Sequence, residues 1–159
     1  MRRYTLLVCA VLLAGCAQLR PARQNTDQDR FWSGRLALQV ETSAAQSFTA
    51  SFELKGTAER GELALFNPLG GTAAQLTWQP GAATLLANGE TRAFDSLEAL
   101  VAQATGAPLP LAALFDWLHG NNTAVPGWQA DLSQLAEGRI SALRQQPPPA
   151  ASLRVVLDR

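Results

Sequence analysis

From Arg30 onward the chain alternates apolar and polar residues with a period of two, and this constrains its fold more than any other feature. In "GRLALQVE", Leu36, Leu38 and Val40 share one face, while Arg35, Gln39 and Glu41 share the other. In "SFTASFELK", Phe48, Ala50, Phe52 and Leu54 alternate with Thr49, Ser51, Glu53 and Lys55. "GELALF", "TAAQLTW", "AATLLA" and "ETRAF" follow, then, later, "GWQADLS", "GRISALR" and "ASLRVVL". Such runs are half-buried strands, and about nine of them are countable. The breaks at Gly56-Thr57, at residues 67–71, at Gln79-Pro80-Gly81 and at Asn88-Gly89 are turn chemistry. Connections this short make neighbouring strands antiparallel, since a parallel crossover needs a dozen residues or more. A single curved antiparallel sheet is expected, in a mainly β domain.

Two helices interrupt the strands. Asp95 is expected as the N-cap of the first, with Glu98 completing a capping box. Leu97, Leu100, Val101 and Ala104 form its apolar face, and Gly106 and Pro108 end it. Pro110 opens the second helix, where Leu111, Leu114, Phe115 and Leu118 recur at helical spacing before Gly120. Helices of about three turns are marginal alone, so both must pack on the sheet. Pro147-Pro148-Pro149 cannot join a ladder and marks the connection before the last strand.

The N-terminus reads differently. Arg2 and Arg3 precede the apolar run "TLLVCAVLL", which is too short to span a bilayer and fits an export signal. Leu13-Ala14-Gly15-Cys16 resembles the lipobox of bacterial lipoproteins. That resemblance implies cleavage before Cys16 and lipid on its sulfur. Residues 1–15 are expected as a lipoprotein signal peptide, and 16–29 as a lipidated cysteine followed by a flexible tether. The only other cysteine, Cys9, would leave with the signal, so the mature core must hold without a disulfide. Ala17 in place of an aspartate after the cysteine favours the outer membrane by the same resemblance.

Enzyme chemistry is sparse. His119 is the single histidine, and nothing matches a nucleophile elbow, a P-loop, a zinc-protease helix or a dinucleotide fingerprint. No catalytic residue, metal or cofactor is expected. His119 reads as a helix C-terminal residue whose positive form suits the dipole. Net charge is zero with no run of like sign, which gives no basis for a nucleic-acid partner. Aromatic residues are plentiful, with four tryptophans and six phenylalanines. The pattern alone is equally compatible with a solid core and with a sheet and helices enclosing an apolar cavity.

Several short pieces, taken in order, resemble the LolB family of outer-membrane lipoprotein receptors. They are Trp32-Ser33-Gly34-Arg35-Leu36, Asn67-Pro68-Leu69-Gly70, Leu109-Pro110, Trp117-Leu118-His119-Gly120 and Gly127-Trp128. Together they span residues 30–157, and 30–159 becomes a LolB-like half-barrel domain. The resemblance implies an incomplete barrel with short helices as a lid over an apolar cavity. Leu36, Leu38, Phe48, Phe52, Leu63, Leu65, Leu76 and Trp78, with Leu114, Phe115 and Leu118 from the second helix, would line it. The implied partners are the periplasmic carrier LolA, the acyl chains of lipoproteins, and outer-membrane lipid. The protein would be a lipid-anchored monomer of a Gram-negative outer membrane, facing the periplasm. A structural lipoprotein that scaffolds a protein partner is the competing expectation.

The turn at residues 66–71, "FNPLGG", carries a leucine where turns are usually polar. From the residues alone, Leu69 serves equally as a plug folded back on the barrel end or as a probe held outward. The resemblance favours the probe, with Pro68, Leu69 and Gly70 as a membrane-insertion loop.

Overall fold

The computed structural model describes residues 30–41 and 46–159. Nine strands form one sheet. They are β1 (Phe31–Glu41), β2 (Gln46–Gly56), β3 (Gly61–Phe66), β4 (Thr72–Gln79), β5 (Ala82–Ala87), β6 (Glu90–Phe94), β7 (Trp128–Asp131), β8 (Arg139–Arg144) and β9 (Ala150–Leu157). The spatial order is β6-β5-β4-β3-β2-β1-β9-β8-β7, and every pairing is antiparallel. β6 and β7 are the two edges, so the barrel does not close. Two helices, α1 (Leu97–Thr105) and α2 (Leu111–Leu118), connect β6 to β7. The expected signal peptide, Cys16 and the tether lie outside the described residues.

Sequence parity and burial agree along the sheet. Leu38 and Val40 on β1, Phe52 and Leu54 on β2, and Ile140 and Ala142 on β8 are buried, while their alternates face outward. The first and last strands meet in mid-sheet, with Leu36 opposite Val155 and Leu38 opposite Leu153. The expected strand "GWQADLS" is shorter than its pattern. β7 stops at Asp131, whose carboxylate accepts the Ser133 N–H at 2.9 Å and turns the chain. Hydrogen bonding to Ser133 holds that carboxyl below the usual carboxylate range.

Pieces of the Trp32-Ser33-Gly34-Arg35 motif have separate physical tasks. The Trp32 ring meets Phe115 and His119 edge-on, with centroids at 5.8 and 5.0 Å. The Ser33 hydroxyl donates to Asp158 at 2.9 Å, and the Asp158 N–H donates to the Ser33 carbonyl at 2.9 Å. Gly34 is a close approach: a Cβ there would collide with the Val156 carbonyl oxygen of β9. A glycine inside a strand marks such a site, where one backbone crosses close to another.

The helix starts differ in part from expectation. Ser96, not Asp95, caps α1. It sits in extended conformation, and its Oγ accepts the Ala99 N–H at 3.1 Å. Glu98 therefore falls one position short of closing a capping box, although its charge still suits the helix N-terminus. Gly106 ends α1 in left-handed conformation. Leu97, Leu100 and Val101 are buried, whereas Ala104 is exposed at the helix end. On α2, Ala113, Leu114, Phe115, Trp117 and Leu118 are all buried. Each large side chain among them contributes about 1.5–3 kcal/mol on leaving water, which holds an eight-residue helix that could not form alone.

His119 caps the C-terminal end of α2, the position expected for it. Its Nδ1 lies 2.6 Å from the Phe115 carbonyl, and its Nε2 lies 2.6 Å from Arg30 Nη1. Asp116 takes the Thr123 hydroxyl at 2.7 Å instead of the His119 ring.

Arg144 faces inward from β8 and is only 6% exposed. Its Nε and Nη1 are buried with no hydrogen-bond partner among the described residues. An unpaired buried charge is costly. Arg144→Met is expected to stabilise the fold by about 1–4 kcal/mol, the range seen when buried ionic groups give way to apolar ones. Gly34→Ala should destabilise it by about 3 kcal/mol, the upper end for overpacking. Urea unfolding monitored by tryptophan fluorescence reads both. An unchanged midpoint for Gly34→Ala would mean that β9 can shift away from β1.

Candidate functional site

The concave face of the sheet and the two helices enclose a cavity of about 730 Å³. Its floor is the inner face of β1 to β5 and β9, and its roof is the C-terminal part of α1 together with α2. Leu36, Leu38, Phe48, Phe52, Leu63, Leu65 and Leu76 lie in the floor, and Leu114 and Leu118 lie in the roof. Trp78 and Phe115, expected in the wall, are not part of it. Both are buried, and their rings meet edge-on at 6.1 Å. The Trp78 indole N–H donates to the Thr57 carbonyl at 3.0 Å, so that ring closes the core beside the cavity. The large aromatics are better satisfied there, because each finds a ring partner or a carbonyl.

Other lining residues share the same apolar faces but were not singled out as cavity residues from the sequence. Val40, Leu54, Leu85, Leu153 and Val155 extend the floor across the sheet, and Val101, Leu109 and Leu111 extend the roof. The polar members are Ser47, Arg92, Gln103 and Thr105. The Thr105 hydroxyl lies 2.8 Å from both the Val101 and Ala107 carbonyls, so it is occupied in ending α1. Among the described residues no three histidine, cysteine, aspartate or glutamate side chains come together as metal ligands.

The cavity opens at one end of the sheet. Phe48 lines it and is still 40% exposed, and Gln103 and Ala104 line it from an exposed turn of α1. Strand direction places the β3–β4 turn at this same end, along with the β5–β6 turn. Leu69 sits on that β3–β4 turn and is 97% exposed, so it is no plug.

The turn is held firmly. The Gly70 N–H donates to the Asn67 carbonyl at 2.9 Å, and the Asn67 N–H donates to the Gly71 carbonyl at 2.9 Å. Asn67 Oδ1 accepts the N–H groups of both Leu69 and Gly71 at 3.0 Å. Pro68 fixes its own φ, and Gly70 supplies a positive φ of 83°. Sequence reasoning placed Asn67 in the turn but gave its side chain no role, although an asparagine before proline is a turn initiator whose side chain bonds forward.

An open antiparallel half-barrel, an apolar cavity under short helices and an outward leucine turn are thus combined in one domain. The family model described as "Outer membrane lipoprotein LolB" matches residues 29–151. The chain belongs to the LolB family. The outer-membrane lipoprotein LolB of Bordetella petrii is 39% identical over 142 residues, covering 87% of this chain and 70% of that protein. LolB of Chromobacterium violaceum is 37% identical over 126 residues, covering 76% of this chain and 68% of the relative. LolB of Bordetella pertussis is 34% identical over 173 residues, covering 93% and 87%. Membership makes this an outer-membrane lipoprotein with a general role in receiving lipoproteins. No helix among the described residues is long and apolar enough to cross a membrane.

If Asn67 holds Leu69 in place, Asn67→Ala removes the acceptor of two backbone N–H groups. Proteolysis at the turn should then speed up by about thirtyfold, since two such bonds are worth about 1 kcal/mol each. Thermal unfolding should move by no more than a degree or two, because the turn lies outside the core. Equal cleavage of both proteins would show that Pro68 and Gly70 hold the turn unaided.

Proposed function

We propose that the cavity receives the acyl chains of lipoproteins delivered by the periplasmic carrier LolA, and that Leu69 then guides their release into the outer membrane. The observation that carries this reading is the shared placement of cavity mouth and leucine at one end of the sheet. Cargo leaving the mouth would meet the same lipid surface that the turn touches. On this reading Cys16 bears the lipid anchor and residues 17–29 form the tether.

Energetics favour a passive relay. An apolar wall attracts hydrocarbon without direction, at about 25 cal/mol per Å² removed from water. A bilayer offers the same chains a fully apolar medium, so a cavity that is partly open binds them less strongly and releases them downhill. Leu69 entering lipid contributes on the order of 1.5–3 kcal/mol. That is too little to anchor a protein but enough to orient one.

The test separates the two steps, using the full chain, carrier loaded with lipoprotein, and liposomes. Leu69→Glu should accept cargo normally and deliver it poorly, with thermal stability almost unchanged, as is usual for an exposed position. Leu65→Asp, which puts a carboxylate on the half-buried cavity floor, should fail already at acceptance while keeping its β circular dichroism. A Leu69→Glu protein that fails at acceptance would make the turn a carrier contact instead. Normal acceptance by folded Leu65→Asp would remove the acyl-binding role from the cavity. Separately, Cys16→Ser should abolish palmitate labelling in cells. Labelling that persists would place the anchor elsewhere.

A further inference from the structure

The wall of the cavity is mostly apolar, and Arg92 is its single charged lining residue among those described. Cross-strand register shows where it stands. Arg92 pairs with Leu85, Leu85 with Leu76, Leu76 with Leu63, and Leu63 with Leu54. Arg92 therefore ends a row of leucines that crosses the concave face from β6 to β2. It lies on the free edge of the sheet. Its nearest carboxylate, Glu90, is 3.9 Å away, and the two side chains are 56% and 74% exposed. A pair so long and so exposed holds a guanidinium weakly.

We propose that Arg92 sets the direction in which an acyl chain lies in the cavity. Its guanidinium takes the acceptor oxygens at the polar end of the ligand, an ester carbonyl or a carboxylate. The hydrocarbon then runs along the leucine row toward Leu63 on β3 and Leu54 on β2. The inference rests on the acyl-binding reading above and adds a specificity residue to it. A row of leucines cannot distinguish the two ends of a chain, because apolar attraction has no direction. A guanidinium with five N–H donors and no acceptor can. From β6 to β2 there are four strand spacings, roughly 19 Å along the curved sheet, which is room for most of an extended fatty acyl chain. An inward charge on an edge strand also discourages edge-to-edge pairing. That role asks only for charge and has no bearing on ligand direction.

Photolabelling tests the proposal on the full chain in phosphatidylcholine liposomes. Two sixteen-carbon fatty acids are used, one with a diazirine at the terminal carbon and one with it next to the carboxyl group. Their methyl esters form a second pair, and labelled residues are read by peptide mass spectrometry. The terminal probe should favour Leu54 and Leu63 over Leu85 by about tenfold, the ratio that one hydrogen bond to a charged group supplies, and the other probe should show the reverse. Arg92→Leu should bring both ratios close to one while total cavity labelling is retained, and Arg92→Lys should keep part of the bias. A bias also seen with the methyl esters assigns the acceptor to a carbonyl, and one confined to the acids assigns it to a carboxylate. Equal labelling at both flanks in the unaltered protein, or ratios unmoved by Arg92→Leu, would overturn the proposal. So would loss of all cavity labelling in Arg92→Leu, which would make the residue structural. If the unaltered protein shows no cavity labelling with any probe, the acyl-binding reading itself falls and takes this inference with it.

Discussion

The inner face of this sheet is apolar along nearly its whole width, and among the described residues two short helices are all that cover it. α1 has nine residues and α2 has eight, whereas the sheet has nine strands. A closed barrel would have folded that face on itself, and a longer helix would have filled it. Here α2 is pressed down through Leu114, Phe115, Trp117 and Leu118, while the end of α1 leaves Gln103 and Ala104 in the open. The space between is therefore a consequence of too little covering surface. Its walls are leucines on a hydrogen-bonded frame, so it does not collapse as a liquid would.

That frame holds without a cysteine anywhere from Arg30 to Arg159. Its middle is the pairing of the first and last strands, and the residues of greatest sequence separation meet there. Gly34 permits the close crossing, and the Ser33–Asp158 pair fastens the outer end of the seam. Trp32 reaches from the same short motif to α2, so one stretch of β1 joins the sheet closure to the helix that roofs the cavity. Nucleating such a seam requires bringing distant segments together, so topologies of this kind fold slowly relative to helical ones.

Strand parity was legible because side chains on a strand alternate without exception, and one buried face repeats that alternation in the sequence. The inner set on β1 and β2 could be read directly for this reason. The ends of elements were less legible. Ser96 and Asp95 are both good caps by composition, and only the backbone decides which of them turns toward Ala99. The cavity wall was legible as an apolar face but not as a wall. Trp78 and Phe115 have the same parity and hydropathy as their lining neighbours, yet they bury against each other, because ring-to-ring packing depends on tertiary position. Arg92 escaped notice for the opposite reason. In "ETRAF" a charged residue of inner parity looks like ordinary edge-strand polarity, and only the register aligns it with four leucines. The contact of His119 with Arg30 was not legible, because the two residues are 89 apart in the chain.

Strand polarity has one further consequence. The chain enters the sheet at Arg30, at the end away from the Leu69 turn, since Phe66 is level with Ser51 and Arg35. The five residues from Arg30 to Arg35 put roughly 17 Å of strand between the entry point and the level where the turn begins. Fourteen residues lead from Cys16 to Arg30. Fully drawn out they span at most about 46–50 Å. On the proposed reading, with the anchor at Cys16, that contour exceeds the strand by about 30 Å. The same lipid surface could then hold the anchor and meet the Leu69 turn, because the contour outreaches the strand that separates the two ends of the sheet.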